Sequence, residues 1–337
     1  MSDENVLTKE IAEQFLADED SVDLSEFTAI EDDAAEVLAT AKSDRLILSR
    51  IRELSENATI ALSQFQGKYL VLNEADIACP NAKHFRNFGG EQLSLGITEL
   101  TADDAGDLAK WKGDYLLLNR LQRLSDESVA AIAQWQGGEL HLKGLSELTE
   151  DASRALGGFS GYTLYLDGLT SLSEKAAQGL ACYEGEELFL RGLTHLTSEA
   201  AKQFQEFQGD GIFFGKIDSW SSDLLLAIND WKFDRSEFDC ENFSQDVDLS
   251  ECLTINEHLV NILPQCRAAV KLNSITDISD QVASRLKYHQ GRLELLSLKS
   301  ISDEAAESLA EHKDVVVDLD MLPQSAARIL RKAGHGE

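Results

Sequence analysis

The chain is its own best match. The stretches LHLKGLSELTEDASRALGGFSG (Leu140 to Gly161), LYLDGLTSLSEKAAQGLACYEG (Leu164 to Gly185) and LFLRGLTHLTSEAAKQFQEFQG (Leu188 to Gly209) align position by position at a period of 23 or 24 residues. The common unit is L-x-L-x-G-L-x-x-L-[S/T], then an alanine-rich stretch, an aromatic residue and a glycine. One such unit is too short to bury its own apolar face, so its copies must stack and share a core.

The second leucine of the unit runs through Leu24, Leu48, Leu72, Leu95, Leu118, Leu142, Leu166, Leu190 and Phe214, then resumes at Leu249, Leu272 and Leu295 and ends near Val317. L-x-L alternates with period two, which predicts a short strand with its leucines inward. A Ser or Thr follows (Ser55, Thr101, Ser125, Thr149, Ser173, Thr197, Ser221, Ser279, Ser302), then acidic residues. This is a helix N-cap with carboxylates in the first turn. Alanines such as Ala58, Ala82, Ala152 and Ala176 let each helix lie close to the strand layer. The repeat-end glycines Gly67, Gly113, Gly137, Gly161, Gly185, Gly209 and Gly291 read as left-handed helix C-caps. The sum is an α/β solenoid of about 12–13 repeats, with a parallel sheet on one face and short helices on the other.

These residues resemble the leucine-rich-repeat superfamily, in its bacterial-type variants with L-x-L-x-G-L-x-x-L and a helical convex side. The commoner class places asparagine where this chain has Leu145, Leu169 and Leu193. It thus lacks the asparagine ladder, and the turn after the strand must be held in another way. The resemblance implies a scaffold for protein recognition rather than catalysis.

Five segments are expected. Residues 1–21 form an N-terminal helical cap in which LTKEIAEQFL lacks a preceding strand. Residues 22–231 and 247–323 are two blocks of repeats. Between Phe214 and Leu249 the spacing stretches to 35 residues, so 232–246 reads as an insertion, a degenerate repeat or a hinge. Residues 324–337 form a C-terminal cap helix and tail.

Composition narrows the partners. Sixty acidic against 30 basic residues give a net charge of −30. Such a surface repels nucleic acid and anionic membrane and suits, if anything, a basic protein. The first residues, Met-Ser-Asp-Glu-Asn, have no basic or apolar stretch of a leader, and no apolar run is long enough to span a bilayer. Five separated cysteines without a CxxC pair read as free thiols. A cytoplasmic location is expected.

No nucleophile, phosphate-loop or metal-ligand motif emerges, so neither enzyme activity nor a cofactor is expected. The acidic pairs Asp32-Asp33, Asp103-Asp104 and Glu150-Asp151 fit first helical turns better than a cation site. Cys252 and Cys266 fall at core positions. What departs from neutral expectation is the residue between the two strand leucines: Ile47, Val71, Ser94, Leu117, His141, Tyr165, Phe189 and Phe213, then Asp248, Lys271 and Glu294. With strands ~4.8 Å apart, Leu117 to Phe213 would form an exposed ridge about 20 Å long. Lys143, Asp167 and Arg191 edge it with charge. An apolar, aromatic strip with a polar rim is the composition of a protein-binding surface. The favoured reading is a monomeric protein-binding scaffold using Leu117, His141, Tyr165, Phe189 and Phe213 as anchors. A self-assembling repeat protein is the first rival, and an enzyme or metal protein with a site assembled across repeats is the second.

Overall fold

The computed structural model describes residues 5–72, 79–217, 221–232, 235–237 and 246–336. They form two compact units, Met1–Leu193 with Phe207–Phe213, and Thr194–Glu206 with Phe214–Glu337. Each is an array of stacked strand–turn–helix repeats.

In the first unit eight parallel strands lie side by side in chain order: Arg45–Ile47, Tyr69–Leu72, Gln92–Leu95, Tyr115–Leu117, Glu139–His141, Thr163–Tyr165, Glu187–Leu190 and Gly211–Phe214. The register pairs equivalent positions, for instance Leu116 with Leu140 and Leu140 with Leu164. The strand leucines point into the core, where Leu46, Leu70, Leu116, Leu140, Leu164 and Leu188 are fully buried. Helices return the chain along the other side: Glu56–Leu62, Ala102–Leu108, Asp126–Ile132, Glu150–Gly157 and Glu174–Leu180. The predicted Ser and Thr caps are present. Ser55, Thr101, Ser125, Thr149 and Ser173 each accept a hydrogen bond from the backbone N–H three residues on. One repeat differs, with a 3₁₀ segment, Cys79–Asn87, in place of the α-helix expected around Ala82.

The acidic first turns have a second use. The hydroxyl of cap Ser55 donates to Asp32 of the preceding repeat, and cap Thr149 donates likewise to Asp126. Lys175 bonds Glu150 across the same gap at 2.9 Å. These carboxylates therefore tie helix to helix, in keeping with their structural reading.

Three expectations need correction. The repeat-end glycines are not left-handed, because only Gly334 and Gly336 have positive φ among the described residues. They are required by contact instead. A Cβ on Gly67, Gly113, Gly137, Gly161 or Gly185 would strike the aromatic ring two residues earlier at 1.9–2.3 Å. Second, the first helix, Lys9–Ala17, is preceded by a strand after all: Val6–Leu7 pairs in parallel with Ala29–Ile30. Third, the strand expected to end at Leu24 is absent, and Leu24–Glu26 is a 3₁₀ turn. The Asp23 carboxylate accepts from Ser25 N–H and bends the chain before a strand can extend.

The glycine-aromatic pairs line up as a second spine. Phe65, Phe88, Trp111, Trp135, Phe159 and Tyr183 stack ring over ring at 5.6–6.4 Å, and nearly all are fully buried. Their polar atoms stay satisfied: Trp111 Nε1 donates to Phe88 O, Trp135 Nε1 to Trp111 O, and Tyr183 Oη to Gly161 O.

The second unit has four parallel strands, Val247–Asp248, Val270–Lys271, Leu293–Leu295 and Val315–Val317, in that order. A two-strand ladder, Asp277–Ile278 with Ser300–Ile301, precedes the helices Asp280–Leu286 and Asp303–Ala310. Ser221, Ser279 and Ser302 cap as predicted, and Asn256 caps a helix that the Ser/Thr pattern had missed. The terminal helix is Gln324–Ala333, closed by Gly334 at φ +92. It buries Ala326, Ala327 and Leu330. Of the irregular stretch 232–246, Arg235–Glu237 is a short strand and most of the remainder lies outside the described residues, as does Trp220.

Candidate functional site

Strand register places the row of outward residues shoulder to shoulder. Leu117 is opposite His141, His141 opposite Tyr165, and Tyr165 opposite Phe189. The rings take up the strand spacing as face-to-face stacks: His141–Tyr165 at 3.9 Å, Tyr165–Phe189 at 4.4 Å and Phe189–Phe213 at 4.5 Å. Stacking changes their exposure. Leu117, His141 and Tyr165 are half-buried, but Phe189 and Phe213 are only 7% and 6% exposed. Val71 and Ser94 are buried as well, while Ile47 is 40% exposed. The ridge expected from Leu117 to Phe213 is thus a short, half-buried segment, Leu117 to Tyr165, continued by a covered aromatic base. Neighbouring rings cover each other's faces at this spacing.

The charged residues beside the row lie over its rings. Lys143 Nζ sits 4.4 Å from the Tyr165 centroid and 3.4 Å from Asp167. The Arg191 guanidinium lies 4.7 Å from the Phe189 ring and 6.0 Å from Phe213. Each cation over a ring face is attracted by the negative potential of that face. The eight residues singled out from the sequence, Leu117, His141, Lys143, Tyr165, Asp167, Arg191, Phe189 and Phe213, are therefore one contiguous group.

On the opposite flank the structure adds residues that the sequence pattern had not exposed. Glu139 touches His141 at 3.1 Å. Burial, with the Lys143 charge, holds the imidazole down at about 4 against the pull of Asp167. At neutral pH that contact is accordingly a hydrogen bond to a neutral ring rather than an ion pair. The Glu139 carboxyl is pushed up by burial and by the charges of Asp114 and Glu187. Tyr162 reaches across two repeats to give its hydroxyl to Asp114 at 3.1 Å. It can do so because Gly138 lies beneath it, where a Cβ would come 2.1 Å from the Tyr162 ring. The doubled glycine Gly137-Gly138 was the available sequence signal.

The turn after the strand is held by side chains of the rim. Asn119 Oδ1 accepts from Lys143 N–H at 3.4 Å, and Asp167 Oδ1 accepts from Arg191 N–H at 3.1 Å. In the second unit Asn273 accepts from Leu296 N–H at 3.2 Å. The ladder of acceptors missing from the leucine position has moved out of the core, to the residue that follows the strand.

Elsewhere, Cys252 and Cys266 are buried with their thiols pushed up to about 11 by burial, and Cys182 is exposed. A hollow of about 300 Å³ lies between the turns at Gln122–Leu124 and Glu147–Thr149. No three His, Cys, Asp or Glu side chains are grouped to hold a metal among the described residues. No helix among them is long and apolar enough to cross a membrane.

No protein family and no curated relative matches this chain. Among solved structures it is similar to an internalin of Listeria monocytogenes, at 14% identity over 98% of this chain and 94% of that one, with a TM-score of 0.40. It is similar also to a chain of the yeast Rad7 and Elc1 complex, at 14% identity over 94% and 89% of the two chains, with a TM-score of 0.42. A chain of the Drosophila Toll–Spatzle complex matches at 13% identity and a TM-score of 0.42, covering 85% of this chain but 44% of that one. None of these likenesses bears on what this chain binds.

Proposed function

We propose that the first of these leucine-rich-repeat units is a non-catalytic protein-binding scaffold. Its contact face is Leu117, His141 and Tyr165, with Phe189 and Phe213 as the rigid base and Lys143, Asp167 and Arg191 as the rim. The observation that supports this reading is the continuous stack from His141 to Phe213, braced by two cations. Ring edges fixed in advance lose little entropy when a partner docks, which is the property of an anchor residue.

The partner we favour is basic. Glu139 is crowded by Asp114 and Glu187, and a cation placed among them would relieve that crowding. The excess of 60 acidic over 30 basic residues would also speed the approach of a positively charged partner. A monomer in the cytoplasm completes the proposal.

Fluorescence anisotropy with length-matched cationic, neutral and anionic peptides, each containing one aromatic residue, tests it. The cationic set is expected to bind best and to weaken with salt. Tyr165→Ala is expected to reduce affinity by about tenfold or more, as loss of a central anchor does. Equal binding of all three sets overturns the choice of a basic partner. Unchanged binding by a folded Tyr165→Ala overturns the site.

A further inference from the structure

The aromatic spine changes chemistry in the second unit. In the first unit every repeat-end position from Phe65 to Phe207 carries a phenyl, indole or phenol ring. At the same register and a spacing of 23 residues, the second unit carries Cys266, His289, His312 and His335. The histidines still behave as spine residues. His289 and His312 stack at 5.5 Å with planes 20° apart, and each is 3% exposed. His335, on the segment after the terminal helix, is half-buried, with Nε2 3.3 Å from Ala310 O.

Hydrogen bonding fits neutral rings. His289 Nδ1 lies 3.1 Å from Leu263 O and so donates to it. His312 Nδ1 accepts from Asp314 N–H at 3.0 Å, which puts its own proton on Nε2. Neither Nε2 has a hydrogen-bond partner. A second proton on His289 would sit on a buried nitrogen that makes no hydrogen bond in the folded chain. On His312 it would meet the Asp314 N–H head-on. Both rings charged would place two cations face to face in the core.

The surrounding charges do not compensate. Burial and the charges of His289 and His335 all oppose protonation of His312, and together they outweigh Asp314 and the His289 backbone carbonyl, which favour it. Around His289, the carbonyls of Leu263, Arg292, Cys266 and Ala268 favour the proton and burial again opposes it. The neighbouring ion pairs Lys287–Glu311 and Arg292–Glu294 already satisfy their carboxylates at 3.1 and 3.4 Å. Asp246 stands near Cys266, whose thiol is neutral. Arg328, Arg331 and Lys332 of the terminal helix are exposed cations and add no acceptor.

We propose that the stacked, neutral pair His289–His312 makes the last repeats and the C-terminal cap an acid-sensitive clasp, which opens while the first unit stays folded. Each histidine binds a proton more weakly folded than unfolded. The stability it contributes is complete above the unfolded value near 6.5 and declines as pH falls below that value, down to about 4 for His312. The carboxylates held low elsewhere, such as Asp32 and Asp107, begin to matter only under more acid conditions.

Hydrogen exchange of the full chain, corrected for intrinsic rates, reads this directly. Between pH 7.5 and 5.5 protection in residues 289–336 is expected to fall by roughly tenfold per histidine, with little change in residues 45–72, which hold no histidine, unlike the stretch around His141 that is itself held at about 4. His289→Phe/His312→Phe, which restores the ring type of the first unit, is expected to abolish the difference. His289→Gln/His312→Gln, which cannot titrate, serves if the larger rings prevent folding. Equal loss of protection in wild type and a folded double variant, or no loss in wild type, overturns the proposal.

Discussion

The indole of Trp135 fills the space that a side chain on Gly137 would need, with Cζ2 2.0 Å from the position of a Cβ. The ring itself stacks 5.6 Å from Trp111. Glycine is therefore chosen at 137 for room. Gly137→Ala and Gly137→Asn are both expected to destabilise by about 1–3 kcal/mol, the cost of overpacking a closed site. At Gly334, where φ is +92 and nothing lies within 4 Å of a Cβ, the order should differ. Asparagine, which tolerates that backbone, should be milder there than alanine. Denaturant unfolding of the four variants checks the contrast.

Thr149 acts in two directions, accepting from Ala152 N–H at 3.0 Å and donating to Asp126 of the repeat before. Thr149→Val keeps the shape and removes both bonds. A loss of about 1 kcal/mol is expected from the cap alone. Asp126→Asn should cost less in the Thr149→Val background than in wild type, because the shared hydrogen bond is already gone. A double-mutant cycle in urea measures this, and strict additivity would break the link between repeats.

Substitutions along the outward row should fall into two classes. Tyr165→Ser loses two stacked neighbours, worth about 1–3 kcal/mol together, and should still fold. Phe189→Ser removes a buried ring and should cost about 3–5 kcal/mol. Light scattering across a concentration range should give a monomer mass for wild type and for Tyr165→Ser. Concentration-dependent mass that Tyr165→Ser abolishes would turn the surface into a self-assembly contact.

Thiol chemistry offers a check that needs no mutation. Cys182 is exposed, whereas burial pushes Cys252 and Cys266 up to about 11. In brief alkylation near pH 8, Cys182 should be modified while the other two stay intact until the chain unfolds. Peptide mapping by mass spectrometry distinguishes them. Early labelling of Cys266 would contradict its place in the spine.

Features that depend on one repeat alone were readable from the sequence. A cap such as Ser173 needs only its own helix, and an inward leucine such as Leu164 needs only the period of its strand. Features that depend on two repeats were not. The covering of Phe189 follows from rings supplied by Tyr165 and Phe213, each some 24 residues away. The reach of Tyr162 to Asp114 spans 48 residues and two turns of the array. The glycine error has the same origin in part, because a Cβ on Gly161 would also meet the Gly137 and Gly138 carbonyls of the preceding repeat. At Leu24 a local side-chain turn at Asp23 overrode the period-two pattern of the repeat.

The cap hydroxyl, the ring two residues before its glycine and the acceptor after the strand each reach into the adjacent copy, at nearly the same offset along the chain. An array joined in this way can grow or shrink only by whole copies. A duplicated block of 23 or 24 residues finds matching surfaces above and below, while an insertion of half that length leaves every joint out of phase. Recombination within such a gene is therefore filtered by the protein's own spacing, and lengthening the array is among the cheapest changes open to its evolution.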